Sequence, residues 1–483
     1  MGATGPAWRR AVVVAVLVGA AALTPAGCSR GDGRDVGRID LGSCGPAAEG
    51  PDHPERCGTF QVPLDWTQPG GEQMTLRVLV VPARSGKAAP DPLVYLAGFG
   101  GSAIESAQWP YDNLQRTGWD RDLVFVEQRG TGPEAQTCDL PLPGAPADEA
   151  AYRDAVGGCL SRLARDPRHD TTTSAVADLD RARQALGYDR IDLYGASYGV
   201  SMGLAYLQAH PEHVRTAVLE SGSLLDVRLW QQVPSAAQHS FDELVARCEA
   251  DPVCGPAYDP ARDLRTLVER LTSAPVTVDI SGRTATIDLR GFLGGVIDGY
   301  LARPETAVLL PGDLAAFVRG EWADVLAKRG MVPQDAPSRT SEPVSAQQLT
   351  VRCSDEWAAI DPAAVAAQPP SSFTAMTAAD AAWQERLCAL WPHDEGVAGP
   401  VATDVPVLFV NGTADPADPP ANVAAAAATM PNATFVTAPG AGHGVIDGCL
   451  IPLVETFVAT ATAPAAAEWQ RCLGTVTAPA FPA

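Results

Sequence analysis

The sequence predicts an α/β fold, in which helices cover both faces of a mostly parallel β-sheet. Two observations lead to this prediction. Short apolar runs typical of buried parallel strands recur along the chain, and helical patterns separate several of them. Strands that alternate with helices return to the same edge of the sheet and therefore pair in parallel. The apolar runs are residues 93–96, 123–126, 191–194, 216–219, 405–410 and 434–436. Two further strand patterns, at 59–64 and 75–81, flank a Pro-Gly-Gly turn.

The segment from 224 to 399 has a different pattern, which is mostly helical and lies between two strands of the predicted sheet. It is therefore an insertion over the carboxyl ends of the strands, where ligands bind in open α/β sheets. We interpret it as a helical lid. The predicted organisation is a signal peptide (1–27), a tether (28–58), the first part of the core (59–223), the lid (224–399) and the second part of the core (400–483).

The first residues predict export. Arg9 and Arg10 precede an apolar run at 11–23, which is shorter than the ~18–20 residues of a membrane-spanning helix. Ala26-Gly27-Cys28 is similar to a bacterial lipobox, whose cysteine is lipidated and becomes the first residue after cleavage. We therefore expect a lipoprotein on the outer face of the cytoplasmic membrane. The alternative is an ordinary secretory signal, with release of the protein.

The cysteines agree with export. Apart from Cys28 the chain has ten, and an even number outside the cytosol predicts disulfides. Metal binding is the rival explanation, but no C-x-x-C motif is present and no histidine lies at ligand spacing from a cysteine pair. We therefore predict five near-neighbour disulfides and no metal site. The pairs are Cys44–Cys57, Cys138–Cys159, Cys248–Cys254, Cys353–Cys388 and Cys449–Cys472.

The charge of the chain argues against whole classes of partner. The formal net charge is −22, and removal of residues 1–27 takes away two arginines and no acidic residue, which makes it −24. A surface this acidic repels nucleic acid and anionic lipid headgroups. We expect no nucleic-acid partner and contact with a membrane only through a lipid on Cys28.

A candidate nucleophile follows one of the predicted strands. Gly195-Ala196-Ser197-Tyr198-Gly199 is a G-x-S-x-G sequence between the apolar run 191–194 and a helical pattern at 198–208. A sharp strand-to-helix turn exposes the serine hydroxyl, and the flanking glycines leave room where a side chain would clash. The motif also arises by chance, but its place between a strand and a helix favours a nucleophilic Ser197.

A serine nucleophile needs a base, and the base needs an orienting carboxylate. Asp415 follows the strand pattern 405–410, and His443 follows the strand pattern 434–436. This order of serine, acid and histidine, with both partners on loops after later strands, is that of a hydrolase triad. Asp418 is the nearest rival of Asp415. The other six histidines do not lie on such a loop.

The tetrahedral intermediate of such a reaction needs two backbone N–H donors. We expect one from Tyr198, directly after the nucleophile. The other is expected from the loop after the run 93–96, which contains three glycines between residues 97 and 102. Gly98 and Phe99 are both candidates, and the sequence leaves the choice open.

These motifs, together with Val-Glu-Gln-Arg-Gly-Thr-Gly at 126–132, resemble the proline iminopeptidase and tripeptidyl-aminopeptidase branch of α/β hydrolases. That branch usually has G-G-P-G in the glycine loop and D-Q-R-G-x-G in the second loop. Here Phe99 and Glu127 stand in place of the proline and the aspartate. The resemblance continues at 62–66, around Cys353, at 388–392 and near the end of the chain. Gln128 and Arg129 are expected to support the scaffold.

The resemblance implies an α/β-hydrolase fold and an exopeptidase that releases short peptides or single residues from free N-termini through an acyl-enzyme. It implies no metal and no organic cofactor. An ester hydrolase with the same triad is the alternative, and a non-catalytic binding lipoprotein is a third. An aminopeptidase must hold an ammonium group, which requires carboxylates near the nucleophile. The candidates are Asp355 and Glu356 in the lid and Glu220 after the elbow strand.

Overall fold

The structure is a computed structural model that describes residues 38–44, 55–83, 87–114, 119–141, 148–280, 282–330, 341–476 and 478–482. The predicted signal peptide (1–27), the predicted lipidation site Cys28 and most of the predicted tether lie outside the described residues. No helix within the described ranges is long and apolar enough to cross a membrane.

The strands follow the apolar runs of the sequence, with five additions in less apolar segments (β1, β6, β9, β10 and β11). They are β1 Gly42–Ser43, β2 Arg56–Pro63, β3 Gln73–Val81, β4 Leu93–Leu96, β5 Leu123–Val126, β6 Thr137–Pro141, β7 Ile191–Ala196, β8 Val214–Glu220, β9 Val276–Ile280, β10 Arg283–Ile287, β11 Ser341–Ser345, β12 Val407–Gly412 and β13 Ala433–Ala438.

One large sheet organises the molecule. It has nine strands in the order β1-β2-β3-β5-β4-β7-β8-β12-β13. The strands from β5 to β13 in this order pair in parallel, whereas β1, β2 and β3 are antiparallel to their neighbours. The predicted mostly parallel sheet is therefore confirmed. Because parallel strands end at the same edge, the loops after β4, β7, β12 and β13 meet there.

Helices connect these strands and build the insertion. They are α1 Gln108–Leu114, α2 Glu149–Leu160, α3 Thr172–Leu186, α4 Tyr198–Ala209, α5 Leu229–Ala250, α6 Cys254–Ala257, α7 Pro260–Ser273, α8 Leu289–Val296, α9 Pro304–Ala307, α10 Leu310–Arg319, α11 Trp322–Lys328, α12 Ala346–Ser354, α13 Pro362–Ala366, α14 Thr374–Cys388, α15 Leu450–Thr460 and α16 Ala466–Leu473. A π-helical turn, Ile297–Leu301, extends α8, and 3-10 turns lie at Gly132–Glu134, Pro167–His169, Pro211–His213, Glu356–Ala358 and Pro420–Ala428.

The helical insertion lies between β8 and β12, as the sequence predicts, and much of it packs around an apolar cluster of its own. Helix α7 shows why: Leu264, Leu267 and Leu271 recur at helical spacing and are buried in that cluster. The β9–β10 hairpin and the β11–β6 pair are features that the sequence did not predict. The boundaries of the lid at 224 and 399 stay a prediction.

Five disulfides lie in the described part of the chain, and they join the same near-neighbour pairs that the spacing suggested. They are Cys44–Cys57, Cys138–Cys159, Cys248–Cys254, Cys353–Cys388 and Cys449–Cys472. Three of them join consecutive elements: Cys138–Cys159 links β6 to α2, Cys248–Cys254 links α5 to α6, and Cys449–Cys472 links the start of α15 to α16.

Candidate active site

Ser197 occupies a strained turn between β7 and α4. Its φ and ψ angles are 57° and −124°, a region that non-glycine residues rarely adopt and that costs about 1–3 kcal/mol. The flanking glycines make the turn possible: a Cβ atom on Gly195 would lie 2.3 Å from the carbonyl oxygen of Gly199, and one on Gly199 would lie 2.1 Å from that of Leu96. The geometry is that of a nucleophile elbow.

The loops after β12 and β13 bring Asp415 and His443 together. His443 Nδ1 lies 3.0 Å from Asp415 Oδ2 and 3.2 Å from Oδ1. Asp415 is fully buried, and its Oδ1 also accepts the backbone N–H groups of Ala417 and Asp418, each at 2.9 Å. These donors fix the carboxylate, which in turn fixes the imidazole ring.

Asp415 and His443 each stabilise the charged form of the other. Burial alone would raise the pKa of Asp415, but the neighbouring His443 and the donated hydrogen bonds hold it below its usual value. Burial alone would lower the pKa of His443, but the Asp415 carboxylate raises it above the usual histidine value. An imidazolium at this position is therefore stabilised, as a general base that takes up a proton requires.

Asp418, the rival of Asp415 in the sequence, is also buried beside the histidine. Its Oδ2 lies 3.8 Å from His443 Nδ1, too far for a hydrogen bond. Asp415 is thus the acid that orients the histidine in this structure. Ligand atoms of Asp415, Asp418 and His443 lie within 4.8 Å of one another, and this proximity follows from the arrangement of the two carboxylates around Nδ1.

The glycine loop after β4 lies beside the elbow. A Cβ atom on Gly98 would lie 3.8 Å from Ser197 Cβ, and the Gly101 N–H donates to the Gly98 carbonyl at 3.0 Å in a tight turn. Within the described ranges, the N–H groups of Gly98, Phe99 and Tyr198 have no protein acceptor. All three candidate donors are therefore available to an oxyanion, and the choice between Gly98 and Phe99 stays open.

The second loop of the resemblance supports this arrangement. Buried Glu127 accepts hydrogen bonds from Ser102 Oγ at 3.0 Å and from the Ala103 N–H at 3.1 Å, which fixes the end of the glycine loop. Gln128 Nε2 donates to the Tyr198 hydroxyl at 2.9 Å. Arg129 is fully buried and forms a two-pronged ion pair with Asp178 at 2.6 and 2.7 Å. These contacts are internal, as expected of a scaffold.

A cavity of about 530 Å³ opens onto Ser197 and His443. Its lining includes four aromatic residues and three aspartates, together with Arg290, Arg352 and smaller side chains. The aromatic residues are Phe99, Tyr198, Trp230 and Trp357, and the acids are Asp298, Asp380 and Asp418. Asp380 pairs with Arg290 at 2.9 Å. The Asp298 carboxylate has no hydrogen bond or ion pair to any described residue, but the charges of His443 and Arg290 act on it and oppose the rise in its pKa that burial causes.

The three acids that the sequence suggested for an ammonium group do not line this cavity. Each is engaged in an internal contact. Asp355 accepts hydrogen bonds from Thr172 Oγ1 at 2.5 Å and from Trp357 Nε1 at 2.9 Å, and burial raises its pKa to about 6. Glu356 accepts the Gly399 N–H at 2.9 Å.

Glu220 is a support of the histidine loop. Its buried carboxylate accepts the N–H groups of Val445 and Ile446 and the hydroxyl of Tyr194, and burial raises its pKa. Its backbone carbonyl accepts the Ser197 N–H at 3.0 Å. One residue therefore links the nucleophile elbow to the segment that carries the histidine.

Sequence reasoning missed Asp298, although a signal was present. Asp298 is the only acid in the helical pattern 289–301, whose other residues are mainly apolar or glycine. It lies in the π-helical turn that continues α8, and such turns occur frequently at functional sites. The residue that follows this turn, Ala302, accepts the His443 N–H at 2.7 Å, so the lid contacts the histidine loop directly.

Comparisons with known proteins agree with this geometry. A family model described as TAP-like protein matches residues 374–471, and one described as alpha/beta hydrolase fold matches residues 91–254. Serine protease Hip1 of Mycobacterium tuberculosis is 26% identical over 456 residues, which cover 84% of this chain and 86% of that protein.

Two further relatives carry different names. Tripeptidyl aminopeptidase of Streptomyces lividans is 26% identical over 457 residues, which cover 84% of this chain and 82% of that protein. Carboxylesterase B of M. tuberculosis is 30% identical over 459 residues, which cover 85% of each chain. The relatives thus include a protease, an aminopeptidase and an esterase.

Proposed function

The chain belongs to the TAP-like family of α/β hydrolases and is a serine hydrolase, and from this premise we propose that it is an aminopeptidase. It releases short peptides or single residues from free N-termini through an acyl-enzyme. We assign Ser197 as the nucleophile, His443 as the general base and Asp415 as the orienting acid. Tyr198 and either Gly98 or Phe99 supply the oxyanion donors.

The chemistry follows from these assignments. His443 Nε2 takes the Ser197 hydroxyl proton while Oγ forms a bond to the scissile carbonyl carbon. The negative oxygen of the tetrahedral intermediate accepts hydrogen bonds from the backbone N–H groups of Tyr198 and of either Gly98 or Phe99. His443 then returns the proton to the leaving amine as the C–N bond breaks. Water, activated by the same histidine, hydrolyses the ester on Ser197 and restores the enzyme.

The cavity supports a peptide end as the substrate. Its volume of about 530 Å³ lies within the usual range of sites for small ligands. The single observation that carries the aminopeptidase proposal is Asp298, whose carboxylate lines this cavity and forms no hydrogen bond or ion pair with a described residue. Burial raises its pKa against the opposing charges of His443 and Arg290, and a substrate ammonium would place a positive charge directly at the carboxylate. Asp298 thus replaces Asp355, Glu356 and Glu220 as our candidate for amine recognition.

A matched set of substrates tests the proposal. Free-amine dipeptide and tripeptide amides, their N-acetylated forms and short-chain p-nitrophenyl esters are compared by kcat/KM. We expect free amines to exceed acetylated peptides by about 10²-fold or more, because acetylation removes the charge that pairs with the cavity acid. Equal cleavage of both forms, or turnover of esters alone, contradicts the aminopeptidase proposal.

Variants test the role of Asp298 separately. We expect Asp298→Asn to lower kcat/KM for free-amine peptides by about 10-fold or more and to affect ester turnover much less. Glu305→Gln, which changes an exposed acid of the same lid segment, serves as the matched control and should resemble the wild type. An equal loss for all three substrate types would contradict amine recognition by Asp298.

An ester hydrolase is the second candidate, because the relative with 30% identity is named a carboxylesterase. The same triad and oxyanion donors would serve an ester. The substrate series above separates the two, since an esterase prefers acyl esters and gains nothing from a free amine.

We also propose that the protein is an exported lipoprotein. Five disulfides indicate an oxidising compartment outside the cytoplasm. Lipidation of Cys28 rests on the sequence of residues 26–28. Wild-type protein should partition with membranes, whereas Cys28→Ser should be released or stay unprocessed. Wild-type protein free in the medium with a different N-terminus would contradict the anchor and leave export intact.

A further inference from the structure

Two buried acids face the same nitrogen of the candidate base, and the mechanism uses only one of them. Asp418 follows Asp415 by three residues in the loop after β12, and its side chain is 3% exposed. His443 Nδ1 lies 3.0 Å from Asp415 Oδ2 and 3.8 Å from Asp418 Oδ2. A change of about 0.8 Å would therefore bring the second carboxylate into hydrogen-bond range.

The surrounding contacts hold Asp418 in this place. Its Oδ1 accepts the Ser223 hydroxyl at 2.6 Å, and Ser223 Oγ accepts Asn422 Nδ2 at 2.9 Å. Its backbone carbonyl accepts Asn411 Nδ2 at 2.9 Å. Within the described residues, Oδ2 accepts no hydrogen bond. One oxygen is thus fixed by the protein, and the other is free on the side of His443.

The two carboxylates cannot both carry a charge at low cost, because they are buried side by side. Asp415 has three donors, namely His443 Nδ1 and two backbone amides, whereas Asp418 has one. Burial and the Asp415 charge raise the pKa of Asp418, whereas that of Asp415 is lowered, so Asp418 is the acid that holds a proton more readily. If Asp415 loses its charge, this repulsion disappears and Asp418 ionises more readily.

We propose that Asp418 is a second positioning carboxylate for His443, able to accept the Nδ1–H when Asp415 does not. In that state the imidazole keeps the tautomer whose Nε2 is free to take the Ser197 proton. The inference rests on the triad of the proposed function. It does not depend on whether the substrate is a peptide or an ester.

Four variants, each assayed with an ester and with a free-amine peptide, test the proposal. Asp415→Asn should retain at least about 10-fold more kcat than Asp415→Asn/Asp418→Asn, because the second acid still orients the histidine. Asp415→Asn/Asp447→Asn is the matched control, since Asp447 is an exposed acid on the histidine loop, and it should equal Asp415→Asn. Asp418→Asn alone should cost less than Asp415→Asn. Circular dichroism checks folding, and Asp418→Ser replaces Asp418→Asn in the double variant if the latter does not fold.

A spectroscopic readout separates positioning from a structural role. The downfield proton resonance of a hydrogen-bonded imidazole Nδ1–H should persist in Asp415→Asn and disappear in the double variant. Equal activity of the single and double variants, or loss of the resonance in Asp415→Asn, overturns the proposal. A loss in Asp418→Asn confined to free-amine peptides also overturns it and assigns Asp418 to the substrate. Activity in Ser197→Ala equal to the wild type would instead overturn the proposed function.

Discussion

The contact between Gly199 and the strand β4 gives the sharpest test of how the elbow and the glycine loop depend on each other. A Cβ atom on Gly199 would lie 2.1 Å from the Leu96 carbonyl oxygen and 2.9 Å from its carbonyl carbon. Ordinary contact begins at 3.4 Å, so Gly199→Ala requires a backbone displacement of about 1.3 Å. Leu96 directly precedes the loop that carries Gly98 and Phe99, and the displacement therefore moves the oxyanion donors.

The expected loss follows from this displacement. A shift of about 1 Å in a catalytic group costs on the order of 10²-fold in rate. We predict that Gly199→Ala loses about that much kcat/KM on a p-nitrophenyl ester, and that circular dichroism shows an intact fold.

Gly203→Ala is the matched control in the same helix. Its added Cβ would meet Leu219 Cδ2 at 2.9 Å and Leu96 Cδ1 at 3.5 Å, which are ends of flexible side chains rather than backbone. Alanine gains intrinsic helix propensity, up to about 1 kcal/mol, mainly at Gly203, which is inside α4, whereas Gly199 is the second residue of the helix. Gly203→Ala should keep activity within about threefold of the wild type. If Gly199→Ala folds and has the same activity as Gly203→Ala, the close contact of Gly199 with Leu96 does not position the oxyanion donors.

Three further predictions concern pH and stability. The acid limb of the kcat/KM profile should lie above the ordinary histidine pKa of 6.5, since the buried carboxylates beside His443 stabilise the imidazolium, and should move to lower pH in Asp415→Asn/Asp418→Asn; a limb that does not move in this double variant would contradict the pairing. Burial raises the pKa of Glu455 to about 7, and its Oε1 has no partner among the described residues, so folding loses stability as the pH rises from 4.5 through 7. Glu455→Gln should therefore raise the melting temperature more at pH 8 than at pH 4, and an equal change at both would count against it. Loss of the Cys353–Cys388 disulfide should lower the free energy of unfolding by roughly 1–2 kcal/mol more than loss of Cys248–Cys254, because the first closes a separation of 35 residues and the second one of 6. Denaturant unfolding measures both, and the opposite ranking would contradict an origin in the entropy of the unfolded chain.

The elements that the sequence predicted are those with local causes. The elbow depends on Gly195 and Gly199, two residues before and after Ser197, and the parallel strands carry continuous apolar runs because both faces of the sheet are covered. The hairpin β9–β10 escaped prediction because its two strands have only five residues each and lie among long helices, although β9 alternates buried with exposed residues as a strand does. The strand β11 lies in a polar stretch, and its pairing with β6 is a tertiary contact.

The residues of the site likewise fall into those that local sequence predicts and those that depend on tertiary contacts. Asp415 and His443 could be found because each follows a recognisable strand at the edge where parallel strands end. The acids of the cavity could not be found, since the sequence shows carboxylates without showing whether a hydrogen bond already satisfies them. Asp355 and Glu220 accept hydrogen bonds from other buried groups of the protein. Asp298 lines the cavity because the lid packs onto the histidine loop, which is a tertiary contact.

Covalent labelling tests directly whether Ser197 is the nucleophile. A fluorophosphonate probe is incubated with the protein, and the adduct is located by intact mass and peptide mapping. We predict one adduct, on Ser197, because its Oγ displaces fluoride when His443 accepts the proton. Ser197→Ala should take up no label and lose about 10³-fold or more in turnover while it stays folded. An adduct on another residue, or a Ser197→Ala variant that labels or retains activity within about tenfold of the wild type, would contradict the assignment.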